Sequence, residues 1–275
     1  MKGHHCQMHF MYKAFIIISQ CILIICFSCY RDPINLDLED LGSQIVIEAN
    51  ISDQSGPHQV RVSKTGGYNQ LSNFQQVAGA EIFISDDWGN AEMLREVQAG
   101  LYETQTLHGR PGRTYTLKLL AEGKEYNAIS KMPEALEFDF VTLQNHGWGY
   151  TLICAFTDQE GVEDFCRIKI FKNGELVEKY LYQGKYTEGE QIILDEFDVT
   201  FTANDLVQVE LLTINKEMYE YLSMLNPDEG GGGYDPEMPE FFPVSSANPK
   251  TNLNNNALGY FSAHTVRIYN LIPGI

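Results

Sequence analysis

Four carboxylates, Asp158, Glu160, Glu163 and Asp164, crowd one short stretch of the chain. Calcium takes about six to eight oxygen ligands, so such a cluster is a weak calcium candidate. Its spacing fits no known calcium loop, and charge runs of this kind are ordinarily solvated turns. A second acidic group, Asp228, Glu229, Asp235 and Glu237, flanks the glycines Gly230 to Gly233. That glycine run lacks the following Lys-Ser or Lys-Thr that phosphate binding needs. His58, His108, His146 and His264 stand apart in the sequence, with no His-Glu-x-x-His and no Gly-x-Ser-x-Gly among their surroundings. Paired carboxylates for glycoside hydrolysis must face one another on a rigid scaffold, and no such pair is placed by spacing alone. The expectation is a protein that is not an enzyme, with no catalytic residue, no bound metal and no cofactor.

Aromatic residues give the stronger binding signal. Trp148 lies in the stretch Asn145-His146-Gly147-Trp148-Gly149-Tyr150, and Tyr234, Phe241 and Phe242 follow the glycine run. Exposed aromatics on loops stack sugars or anchor partner proteins. They also plug the ends of sandwiches; both readings stand for Trp148, whereas the plug is expected for Trp88. Binding is therefore expected in the second half of the chain, with the first half as a spacer.

Cys29 closes an apolar segment, Ala14 to Phe27, with Phe27-Ser28-Cys29 and is followed by the polar Tyr30-Arg31-Asp32-Pro33. This is the pattern of a bacterial lipoprotein signal, with residues 1–28 removed and lipid on Cys29. An uncleaved anchor and an ordinary secretory signal are the alternatives. Attachment to the membrane through lipid suits the charge. Loss of residues 1–28 leaves 247 residues and a net charge of −20, because the segment holds two of the 19 Lys and Arg and none of the 37 Asp and Glu. That field repels nucleic acid and anionic lipid surfaces. Of the remaining cysteines in the body, Cys154 and Cys166 pair as a disulfide if their segments form a hairpin around Asp158-Gln159-Glu160-Gly161; two buried thiols are the other outcome.

The elements that must position these residues are mostly strands. Residues 29–42 read as a tether. From residue 43 the pattern has period two: Ile45, Ile47, Ala49 and Ile51, then Val60 and Val62, Ile82 and Ile84, Leu117 and Leu119. Residues 43–133 are expected to form a β-sandwich of transthyretin or immunoglobulin type, ending at Met132-Pro133. Residues 134–275 are expected to form a second β-rich domain, with strands over 150–157, 165–171, 176–182, 192–194, 198–201 and 207–213. Asn173-Gly174 signals a hairpin. Lys216 to Leu225 is the one credible helix, with Asn215 as its cap and Met218, Tyr221, Leu222 and Leu225 on one face. Residues 227–243 read as a flexible loop. The fold class is mainly β: two consecutive antiparallel β-sandwich-like domains with one short helix in the second.

The segments Val77-Ala78-Gly79-Ala80-Glu81-Ile82, Gly100-Leu101-Tyr102 and Gly112-Arg113-Thr114-Tyr115 resemble carboxypeptidase-regulatory-like sandwiches. With the later Asn248-Pro249-Lys250-Thr251-Asn252 and Ala257-Leu258-Gly259-Tyr260-Phe261, the chain resembles a lipoprotein family of Bacteroidota, a domain-of-unknown-function group often encoded beside TonB-dependent receptors. The resemblance implies an outer-membrane accessory of an uptake system, with such a receptor as partner, and carries no activity. A fimbrial subunit polymerising through His264 to Asn270 and a secreted hydrolase are the rival readings. Tyr102 and Tyr115 are expected to pack inward, and Leu258, Tyr260 and Phe261 to close the second core.

Overall fold

A computed structural model describes residues 43–66, 74–184, 189–226 and 249–274. Cys29, the tether, and the loop 227–243 with Tyr234, Phe241 and Phe242 lie outside the described residues. Leu41–Ile275 is one compact unit, and no helix among the described residues is long and apolar enough to cross a membrane.

The chain is mainly β, with several sheets and a single described helix. In its first half come β1 (Ile45–Ser52), β2 (Gln59–Lys64), β3 (Gln75–Gln76), β4 (Glu81–Asp86), β5 (Ala91–Met93), β6 (Arg95–Gln98), β7 (Leu101–Glu103), β8 (Thr114–Ala121) and β9 (Lys124–Lys131). The second half adds β10 (Phe138–Asn145), β11 (Tyr150–Thr157), β12 (Phe165–Lys172), β13 (Glu175–Gln183), β14 (Gln191–Leu194), β15 (Val207–Thr213), helix α1 (Lys216–Leu225) and β16 (Leu258–Leu271). Period-two burial runs along β1, β2, β4 and β8, as the alternation of Ile, Val and Leu requires. Asn173 and Gly174 both have positive φ, 55° and 85°, which is the backbone of the two-residue turn joining β12 to β13.

One nine-stranded sheet, ordered β13-β12-β15-β16-β1-β2-β7-β6 with β3 beside β2, runs through both halves. Two smaller sheets, β5-β4-β8-β9 and β10-β11-β14, complete the two sandwiches. The first core joins Ile47, Ile51, Val60 and Phe261 to Ile82, Tyr115 and Leu117. The second joins Ile168, Ile170, Val209 and Leu211 to Leu152, Phe156 and Phe138. Tyr102 and Tyr115 are buried, and their hydroxyls meet backbone: Tyr102 donates to the Val77 carbonyl, and Tyr115 accepts from Arg110 N–H.

β16 binds the two sandwiches together by changing partners along its length. Leu258 to His264 pairs in parallel with β1, and Thr265 to Leu271 pairs antiparallel with β15. Where β1 ends, side chains continue its edge: Asp53 accepts the Val266 N–H at 2.8 Å and Gln54 donates to the Val266 carbonyl at 2.8 Å. The opposite edge is filled likewise. Asn252 exchanges two hydrogen bonds with the backbone of Phe261, Thr251 donates to the Gly259 carbonyl, and Ser130 accepts Ala263 N–H. Every polar group of an interior strand needs such a partner. Gly259, at φ +91°, lies so close to β1 that a Cβ would fall 2.1 Å from the Ile47 carbonyl oxygen.

Several expectations are corrected by this arrangement. The two halves are not strictly consecutive, because Leu253, Ala257, Phe261 and Ala263 from the 134–275 range fill the first core. Phe261 therefore closes the first core rather than the second, and one strand pair of the large sheet is parallel. Residues 198–201 form no strand and contribute one isolated bridge, Tyr150 to Phe201. β11 and β12 are not hairpin partners: β11 pairs with β10 and β14, β12 with β13 and β15, so the acidic connection crosses from one sheet to the other.

Candidate functional site

The large sheet has a second face, away from both cores, and alternation decides what it carries. On β1, Glu48 and Asn50 point there; on β16, Tyr260, Ser262 and His264; on β15, Leu212; on β12, Arg167 and Lys169. Helix α1 covers part of this face. Its Leu222 is buried with Phe165, Leu212, Ile214 and Val266, while Met218, Tyr219 and Tyr221 pack around them. Asn215 starts the helix as its sequence position suggests: Oδ1 accepts Met218 N–H at 2.9 Å, while Nδ2 donates to Ser130 on β9 at 3.1 Å. One side chain thus caps the helix and fixes it to the first sandwich.

Between helix and sheet lies a cleft of about 440 Å³, lined from four adjacent strands and the helix. Its charges are segregated. Arg167 and Lys169, both half-buried, stand at the β12 side, with Glu210 at 3.9 Å from the Lys169 ammonium. Glu48 and Asn50, both exposed, stand at the β1 side. Tyr221 and Tyr260 meet at 5.0 Å between ring centroids and form a wall. Burial raises the pKa of both phenols; Glu48 adds to this for Tyr221, and Glu217 and Glu220 for Tyr260. His264 is buried, with Nδ1 at 3.0 Å from the Ser262 hydroxyl. Burial lowers its pKa to about 4, with Lys169 pushing the same way, so it is a neutral imidazole at pH 7. The site can hold a charged group at either end and an apolar body between.

The residues singled out in the sequence lie elsewhere. Trp148, in the loop between β10 and β11, is 71% exposed and stacks on His146 at 5.3 Å, so it is not a plug. Trp88, expected to be a plug, is 75% exposed; Arg113 lies 3.9 Å above its ring. The reason is Asp86, which is buried and accepts the Trp88 and Asn90 N–H groups and the Arg113 guanidinium, holding the turn so that the indole projects outward. Asp158, Glu160, Glu163 and Asp164 do not converge as ligands. Glu160 and Glu163 are exposed, with Glu163 bonded to Lys216 at 3.0 Å. Asp158 and Asp164 are buried rather than solvated, and Asp164 accepts the Gln159 N–H at 2.7 Å. Among the described residues no group of three or more His, Cys, Asp or Glu is arranged to hold a metal. Cys154 and Cys166 are buried free thiols in the second core. Burial pushes the Cys154 pKa up to about 12 and raises that of Cys166 as well.

The cleft residues escaped sequence reasoning because they come from four segments separated by up to about 200 positions. The only signal was period two itself: Glu48, Arg167 and Lys169 are polar residues alternating with core residues, on strands whose second face would otherwise be bare.

No curated protein matches the chain. Among solved structures, a two fibronectin type-III domain segment from chicken tenascin is similar at 12% identity over 62% of this chain and 91% of that one, with a TM-score of 0.19. The family described as a domain of unknown function (DUF4249) matches residues 31–269, so it takes in β1, α1 and nearly all of β16, and the chain belongs to that family.

Proposed function

We propose that the protein is a lipid-anchored component of a Bacteroidota outer membrane that binds a ligand, without transforming it, beside a TonB-dependent receptor. The observation that carries the binding reading is the charged cleft between α1 and the sheet shared by the two sandwiches. Pockets of a few hundred Å³ with a few convergent polar groups are how small-molecule sites are built. Support for the anchor comes from Phe27-Ser28-Cys29, and support for the receptor comes from the family resemblance. Strand exchange through His264 to Asn270 is disfavoured, since that segment lies inside β16 and its release would open both sandwiches.

Two measurements test this reading. Mass spectrometry of the mature N-terminus should find acylated Cys29, and affinity purification from outer membranes should recover a TonB-dependent receptor. A soluble protein with an unmodified N-terminus and no associated receptor would overturn it.

A further inference from the structure

The turn between β4 and β5 uses a buried carboxylate to hold one indole in solvent. Asp86 accepts four hydrogen bonds, from the Trp88 and Asn90 N–H groups, the Asn90 amide and the Arg113 guanidinium, the last at 2.6 Å. A buried ion pair returns little net stability, so what this one supplies is position. The Arg113 guanidinium carbon lies 3.9 Å from the centre of the Trp88 ring, on a side chain that is mostly buried. Trp88 itself is 75% exposed, although tryptophan is highly buried on average. One face of the indole is thus backed by a fixed guanidinium, and the other is presented to solvent as a flat platform.

The platform borders a hollow of about 870 Å³ whose other lining comes from the chain between β7 and β8. A second carboxylate fixes that lining. Glu92 on β5 accepts the Thr106 N–H at 3.1 Å, the Leu107 N–H at 2.6 Å and the Thr106 hydroxyl, while Arg110 N–H donates to the Tyr115 hydroxyl at 2.7 Å. Both sides are therefore set before any ligand arrives, which lowers the ordering cost of binding. The His108 imidazole and the Arg110 guanidinium are exposed and offer donors. Asn90, with its Nδ2 turned to Asp86, offers its Oδ1 as an acceptor.

The chemistry of the hollow narrows the ligand. Arg110 and Arg113 are balanced by Glu92 and Asp86 on a protein of net charge −18, so an anion meets no excess of positive charge. A cation on the open face of Trp88 would face the Arg113 charge across the ring. An apolar molecule would cover the indole but strip water from Arg110, Asn90 and Thr106 without replacing it. What remains is a neutral molecule with a flat C–H face and a rim of hydroxyl groups, which describes a pyranose ring. The volume accommodates more than one such ring. We infer that this hollow binds a neutral oligosaccharide, with one sugar ring stacked on Trp88 and its hydroxyl groups bonded to Arg110, His108 and Asn90. The site shares no lining residue with the cleft beneath α1, and it makes the first sandwich more than a spacer.

Trp88 and Trp148 are the two tryptophans of the chain, so Trp148→Phe leaves Trp88 as the sole indole reporter. The full-length Trp148→Phe protein, in a detergent without sugar headgroups, is titrated with cellotetraose, mannotetraose and xylotetraose. At least one should change the Trp88 emission saturably at or below millimolar concentration. By calorimetry the same sugar should bind the unmodified protein, Trp88→Ala should weaken it about tenfold or more, and Arg110→Gln about threefold or more. Trp88→Phe should keep part of the affinity, because a smaller platform remains. Melting curves should show that these exposed-site variants fold; if Trp88→Ala does not, Arg110→Gln and the Trp88 emission decide the matter. No saturation by any of these sugars, binding that survives Trp88→Ala, or tetragalacturonate or adenosine binding as tightly as the neutral sugar would each overturn the inference.

Discussion

Asp158 and Asp164 are both buried and close enough to repel one another when both are charged. Burial, above all, raises the Asp164 pKa to about 7, with the Asp158 contact adding to it and the Gln159 N–H opposing. The native state therefore holds a proton that the unfolded chain, with an Asp pKa of about 3.9, gives up. The resulting stability is complete below about pH 4 and is lost as pH rises through about 7. Melting temperature should fall between pH 5 and 8, and Asp164→Asn should flatten that slope in thermal scans; an unchanged slope would place its origin elsewhere. Asp205 acts with the opposite sign. The Thr202 N–H and Asn173 amide hold it down at about 2, so its contribution appears above about pH 4 and disappears only in strong acid. The two thiols give a separate readout. Cys154 and Cys166, both buried and protonated at pH 7, should resist iodoacetamide in the native protein, and both should react once it is unfolded in denaturant.

Helix α1 and strand β16 depend on a few side chains whose loss can be measured. Asn215→Ala removes the helix cap and the tie to Ser130, and should cost about 1 kcal/mol or more in denaturant unfolding. Gly259→Ala should be far worse, about 3 kcal/mol or more, because the new methyl group meets the Ile47 carbonyl and the backbone is already in the left-handed region. A small effect of Gly259→Ala on the denaturation midpoint would mean that β1 and β16 can separate locally. These elements also divide what could be read in advance from what could not. Asn173-Gly174, the cap at Asn215 and the period-two strands are local signals, each fixed by neighbours within a few residues, and each occurs where expected. Thr251, Asn252 and Gly259 were visible as a pattern without a role, because their partners, the β16 edge and Ile47, lie on other segments. The buried acidic pair was misread for the same reason. Local charge suggested a solvated turn, whereas the chain there crosses between sheets and carries the carboxylates inward.

The nine-stranded sheet makes the two sandwiches one thermodynamic body. β16 supplies Phe261 and Ala263 to the first core and packs Leu271 against the second, so unfolding either half strips contacts from the other. Thermal unfolding should show a single transition by fluorescence and by circular dichroism, and residues 43–133 expressed alone should not fold, lacking Phe261 and Ala263. Two separated transitions would show that β16 is a seam rather than a spine. The cleft shares this dependence, since its floor comes from β1, β16, β15 and β12 together, and that is why no single stretch of sequence announces it.

The partner change within β16 also imposes an order in time. Ile47 leaves the ribosome well before its neighbour Gly259, 259 − 47 = 212 positions later in the chain. Until β16 is made, β1 lacks one edge partner, β15 lacks another, and the first core lacks Phe261 and Ala263. A chain cut before Leu258 lacks the strand that both β1 and β15 pair with, and should be far more sensitive to proteases than one that carries it. Arrival of β16 is thus the step that lets the segments on its two sides commit to one sheet.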